Sequence, residues 1–191
     1  MRTTTLRLTF AVGAIALAAC SEPTVPLTAT DASLSRAAAA AAKPGTATIV
    51  ELAQGTSALS TLVFALGYSD ANCGTSFVAT LGSASGQYTV FAPTNAAFAS
   101  LIGALGQETV LSCDVLPTVL AFHVTRGRHT SVSVLAHESI RMLSGEEAAI
   151  DGTRIAGAPL DLDLVNISAS NGIVHVVDGV LLPPSIVAAL R

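Results

Sequence analysis

The side chains best suited to acid–base or ligand chemistry are four histidines, His123, His129, His137 and His175, and the short basic run Arg126-Gly127-Arg128-His129. An imidazole titrates near neutrality and can serve as base, acid or metal ligand. His123 and His175 each sit inside an apolar run, Ala121-Phe122-His123-Val124 and Ile173-Val174-His175-Val176. Such positions fit a core histidine satisfied by hydrogen bonds, with a ligand or general-base role as the competing reading. No His-x-x-x-His pair and no carboxylate at ligand spacing joins the four, which argues against a metal centre. Neither a Gly-x-Ser-x-Gly elbow nor a Gly-x-x-x-x-Gly-Lys phosphate loop occurs, so no cofactor is expected and hydrolysis ranks below binding. Arg126 and Arg128 can form paired hydrogen bonds with carboxylates or phosphates. The plain reading of their cluster is a solvated loop. The functional reading is a contact point for an acidic polysaccharide, a lipid head group or a partner's carboxylate. Phe122, His123, Arg126 and Arg128 are therefore the candidate binding residues, and no catalytic residue is assigned.

The 191 residues suit one globular domain plus accessory segments. Residues 1–19 have the layout of a secretory signal peptide: Arg2 and Arg7, then the apolar run from Leu8, then small residues. Leu17-Ala18-Ala19-Cys20 resembles a bacterial lipobox, which implies cleavage before Cys20 and diacylglycerol on its sulfur. Lipid attachment through two or more acyl chains would hold the protein on a membrane. By the same resemblance, Ser21 in place of Asp favours an outer-membrane or surface location. Residues 20–45 are rich in Ser, Thr, Pro and Ala and read as a tether. Without Arg2 and Arg7, seven basic side chains face thirteen acidic ones. That balance excludes nucleic acid as an expected partner.

Apart from Cys20, two cysteines remain, Cys73 and Cys113. In an oxidising compartment such a pair tends to become a disulfide, with two buried thiols or a metal pair as the alternatives.

The elements that must position these groups follow from the pattern of apolar residues. Thr48 with Glu51 reads as a capping box opening a helix. Leu59, Leu62, Val63 and Leu66 continue a helical stripe that Gly67 is expected to end. Phe77, Val78 and Leu81 suggest another short helix. Tyr88–Ala92 reads as a strand stopped by Pro93, after which Thr94 or Asn95 caps a helix carrying Phe98, Leu101, Ile102 and Leu105. Val115–Val124 reads as helix, and Ser131–Leu135 as a brief one. Strands are expected over Ser139–Leu143, Ala148–Ile155, Leu160–Ile167 and Ile173–Leu181, with Asp151-Gly152 and Asn171-Gly172 as turns. Helices followed by strands argue for an α+β fold.

Two segments resemble the conserved boxes of fasciclin domains. The first is Tyr88-Thr89-Val90-Phe91-Ala92-Pro93-Thr94-Asn95-Ala96-Ala97-Phe98, and the second runs from Ser168 through Asn171-Gly172-Ile173-Val174-His175 to Pro183. Phe122-His123-Val124 lies where the family carries an aromatic–His pair, and Thr48-Ile49-Val50 matches the usual start. The resemblance spans residues 46–184. It implies an α+β fold with a β-wedge and a helical layer, over a domain of residues 46–188. Phe122 replaces the frequent Tyr, and Arg126 replaces the usual Pro before the turn glycine. Tyr68–Ser76 looks like a local elaboration.

The expectation is thus a non-catalytic binding or adhesion module, held on a membrane through its N-terminal lipid. It would contact cell-envelope or extracellular polymers or proteins. The alternative is a carrier of lipid or another small ligand, using an apolar pocket between helices and wedge.

Overall fold

The computed structural model describes residues 45–189; the leader, Cys20 and nearly all of the expected tether lie outside the described residues. The domain opens with helix α1 (Ile49–Gln54), whose capping box forms as the sequence implies. The Thr48 hydroxyl accepts from Glu51 N–H at 3.3 Å, and the Glu51 carboxylate accepts from Thr48 N–H at 2.7 Å. A single 3₁₀ turn leads into α2 (Ser60–Asn72), followed by α3 (Phe77–Gly82). Gly67 does not end α2, which runs on to Asn72. A glycine inside a helix costs only about 1 kcal/mol, and the buried faces of Leu62, Ala65, Leu66 and Ser69 carry the helix past it.

Strand β1 (Tyr88–Pro93) is followed by α4 (Asn95–Leu105), capped by the Thr94 hydroxyl, then α5 (Gln107–Val110) and α6 (Leu116–Ala121). The expected helix to Val124 is shorter: the chain turns at Phe122 and continues as β2 (Val124–Arg126), paired antiparallel with β1. After α7 (Ser131–Leu135) come β3 (Ser139–Arg141), β4 (Glu147–Asp151), β5 (Arg154–Ile155) and β6 (Ala158–Pro159). The strand expected over Ala148–Ile155 is two strands, because Gly152, at φ 58°, turns the chain between them. Most of Leu160–Ile167 is not strand. Asp161 accepts locally from Asp163 N–H and Leu164 N–H, and the ladder resumes only at β7 (Ile167–Ala169). Strand β8 (Gly172–Val177) and helix α8 (Pro184–Ala189) complete the described chain.

The strands form two four-stranded sheets, ordered β2-β1-β8-β7 and β3-β4-β5-β6. The two family boxes meet at the centre of the first, where β1 and β8 run parallel from Tyr88↔Gly172 to Pro93↔Val177. Their side chains alternate between two cores. Val90, Ala92, Val174 and Val176 pack with Leu62, Leu66 and Leu120 of the helical layer. Phe91 and Val177 face the second sheet, with Ile155, Leu160 and Leu181. Both faces being covered, these strands are apolar almost throughout, as parallel pairs buried on both sides are.

Two asparagines from the boxes fasten the helical layer. Asn95 does not cap its own helix. Its side chain accepts from Thr61 N–H and donates to Ser57 O and the Ser60 hydroxyl, at the start of α2. Buried Asn171 accepts from Ile49 N–H at 2.9 Å and donates to Leu81 O and Ser83 O at 2.6 and 2.9 Å. The tight hairpin expected here forms, with Ser170-Asn171 as its loop between Ala169 and Gly172, but without the positive φ angles expected of Asn171-Gly172. Gly172 is needed for space, because a Cβ there would collide with the Tyr88 carbonyl.

The elaboration after Tyr68 is a built turn. The Asp70 carboxylate accepts from Phe77 and Val78 N–H at 2.7 and 2.8 Å, capping α3 from outside. Cys73, at the end of α2, is disulfide-bonded to Cys113 across a Cα–Cα distance of 5.2 Å.

Candidate functional site

The first two candidates, Phe122 and His123, are not at a surface. Phe122 is fully buried and His123 is 2% exposed. As binding residues they are corrected to core residues: the turn after α6 drives Phe122 into the wedge and His123 beneath the helical layer. Leu181 N–H donates to His123 Nε2 at 2.9 Å, so Nδ1 carries the proton and donates to Val119 O at 2.7 Å. Burial pulls this imidazole down to a pKa of about 4, against a smaller opposing effect of the Val119 bond. It is neutral at physiological pH.

His175 is the mirror case. Asn166 N–H donates to its Nδ1 at 3.2 Å, so Nε2 holds the proton and donates to His129 O at 2.9 Å. Its ring stacks on Phe91 with centroids 5.6 Å apart. Burial lowers its pKa, the His129 carbonyl opposes this, and the charge on the His129 ring adds to the lowering. Each buried histidine thus spends one donor and one acceptor on backbone. That is the core reading the sequence allowed.

Beneath the Arg126–Thr130 loop lies a polar network that fixes its shape. Thr89 donates its hydroxyl to Gly127 O and accepts from His129 N–H, both at 2.8 Å. Gly127 takes φ 92°, a conformation side chains disfavour. The His129 ring returns to Arg126 O at 2.9 Å. Asn166 clasps Ser131 through both side-chain atoms at 2.8 Å, so its amide is committed to the start of α7.

The two arginines of the loop do different work. Arg128 reaches across to the end of β7, donating to Ala169 O at 3.0 Å and to the Ser168 hydroxyl at 2.8 Å. It is a strut. Arg126, exposed at the end of edge strand β2, stands between two open grooves. One, about 660 Å³, lies where β2 meets the second sheet and is lined by Arg126, His129, His137, Arg141 and Met142. The other, about 510 Å³, is lined by Thr80, Ser83, Ser85, Gln87 and Tyr88 as well as Arg126. Arg141, absent from the sequence candidates, lines the larger groove, and so does His137, which the sequence offered as a histidine suited to chemistry without tying it to Arg126. Nothing local signals this: β2 and β3 are brought together by the Thr125 hydroxyl donating to Arg141 O and Leu143 N–H donating to Val124 O.

Two apolar spaces lie between the helical layer and the first sheet, each about 20 Å³. Each has room for about one water molecule. As they stand they do not admit an acyl chain. Among the described residues, no cluster of three or more His, Cys, Asp or Glu could hold a metal, and no helix is long and apolar enough to cross a membrane.

Helical layer, two-sheet wedge and paired boxes define a fold class that comparison with known proteins identifies. A family model for the fasciclin domain matches residues 58–183, and the chain belongs to the fasciclin domain family. It is 38% identical over 149 residues to protein sll1483 of Synechocystis, covering 75% of this chain and 78% of that one. It is 32% identical to the immunogenic protein MPB70 of Mycobacterium bovis, over 53% of this chain and 52% of that protein. The cell surface glycolipoprotein MPB83 of the same species is 31% identical, over 52% and 46%. The chain thus spans about half the length of these mycobacterial relatives. A FAS1 domain pair from the insect cell adhesion molecule fasciclin I superposes with a TM-score of 0.56 at 13% identity, covering 74% of this chain and 52% of that one. The last likeness concerns the fold alone.

Proposed function

We propose that this protein is an extracytoplasmic binding or adhesion module that works through its exterior and catalyses no reaction. It is held at the cell envelope by lipid on Cys20, on the outer membrane or cell surface, and it contacts envelope or extracellular polymers or proteins. One observation carries the reading: His123 and His175 have both ring nitrogens committed to backbone partners, so neither is poised as a base beside a nucleophile. The groups left for recognition are on the surface, around Arg126. One relative adds support, the mycobacterial protein named as a cell surface glycolipoprotein. The test is retention of the purified, labelled full chain on envelope fragments of the producing cell. Saturable retention, displaced by unlabelled chain, is expected. Absence of saturable retention, or turnover of a substrate by the folded chain, overturns the reading.

A further inference from the structure

We infer that the two grooves flanking Arg126 form one track for a linear acidic polysaccharide, with the Arg126 guanidinium holding a sugar carboxylate at the crossing. This rests on the binding-module reading and names its ligand class.

The distribution of charge is the first argument. The chain carries a formal charge of -4, and residues 45–189 contain no lysine and just four arginines, Arg126, Arg128, Arg141 and Arg154. Two of these, Arg126 and Arg141, line the larger groove together with His129 and His137, the two histidines outside the core. Basic side chains therefore gather in one groove of an acidic chain. Arginine offers paired N–H donors that match a carboxylate.

The second groove supplies what a sugar needs beyond charge. Thr80, Ser83, Ser85 and Gln87 present hydroxyl and amide groups that can exchange hydrogen bonds with sugar hydroxyls. The Tyr88 ring lies over Gly86, where a Cβ would strike it, and Tyr88 lines the same groove. Arg126 belongs to both grooves, so a chain of several units laid along them passes its guanidinium.

A membrane surface fits less well. The large exposed apolar side chains, Phe64, Val78, Val132 and Leu162, line neither groove, and the apolar side chains that do line the larger one, Ile140, Met142 and Leu143, are buried or half-buried, so no exposed apolar anchor accompanies the basic groups.

The test measures binding of the purified full chain to polygalacturonate, with dextran, poly-L-glutamate and phosphatidylglycerol vesicles as comparison arms. Binding to polygalacturonate should weaken as salt rises, and the double variant Arg126→Gln/Arg141→Gln should weaken it at least tenfold. Arg154→Gln removes one charge away from the track and should leave binding unchanged. Thermal unfolding of each variant checks that these surface changes leave the fold intact. Equal binding by the double variant, no binding to polygalacturonate, or equal or tighter binding to polyglutamate overturns the inference, as does vesicle binding that the double variant weakens as much as it weakens polygalacturonate binding; vesicle binding through lipid on Cys20 is the same in both chains. If envelope retention persists in the double variant, the binding-module reading stands without this ligand. If envelope retention is absent from the unaltered chain, that reading itself fails.

Discussion

Phe91 and His175 stand opposite each other in the parallel pairing of β1 and β8, with their rings stacked 5.6 Å apart. One residue comes from each box of the family pattern. Their contact closes the wedge-side face of the central sheet, and the Asn166 N–H donated to His175 Nδ1 requires that ring to be uncharged there.

Stability should therefore fall on mild acidification. Burial places His123 at a pKa of about 4 in the folded chain and lowers His175 in the same direction, whereas an unfolded histidine titrates near 6.5. Below pH ~6.5 the unfolded chain binds more protons, so the contribution is complete above that value and is lost as pH drops toward the folded pKa. His123 alone should remove about 3 kcal/mol between pH 7 and pH 4. Urea unfolding across this range checks it, together with NMR of the imidazole. Unchanged stability, or a His123 ring that titrates near 6.5 in the native state, would contradict the core assignment.

Asn171 should be among the costliest single positions. Asn171→Ala leaves Ile49 N–H and two carbonyls without their partner in the interior, a loss of about 2–4 kcal/mol. Asn171→Asp should cost at least as much, because a carboxylate has no N–H for the Leu81 and Ser83 carbonyls. Denaturant midpoints at fixed pH measure both, and a change within about 0.5 kcal/mol would refute the fastening role.

The bridge between Cys73 and Cys113 spans a sequence separation of 40. Its removal in the Cys73→Ser/Cys113→Ser double variant should lower stability by about 2–4 kcal/mol. Thiol titration of the unreduced, denatured chain should find Cys73 and Cys113 unreactive, and reactivity of both would show them unpaired.

Lipid attachment has a direct assay. Cells expressing the chain with labelled palmitate should incorporate label, and Cys20→Ser should abolish incorporation. Label persisting in the variant would remove Cys20 as the anchor.

Local signals were legible in the sequence where the physics is local. The Thr48–Glu51 capping box, the Thr94 cap and the Pro93 strand end all depend on neighbours within a few residues. Apolar runs at Tyr88–Ala92 and Ile173–Val177 marked the strands, but not that they pair with each other. The basic loop was visible as a cluster, yet Arg128 spends its guanidinium on Ser168 and Ala169, forty residues on, so its role was not. Arg141 and His137 join Arg126 only through contacts between the two sheets. Asn171 was marked as a turn residue. Its buried bonds to Ile49 and Leu81, 122 and 90 positions away, could not be read from local sequence.

In the proposed function, the exterior of the folded domain makes the cell-envelope contact. Beads coated with the purified full chain, passed over a layer of the producing cells, test it most directly. They should be held well above beads coated with the same chain reduced and heat-unfolded, and be released by soluble folded chain. Equal retention of both kinds of bead would contradict it.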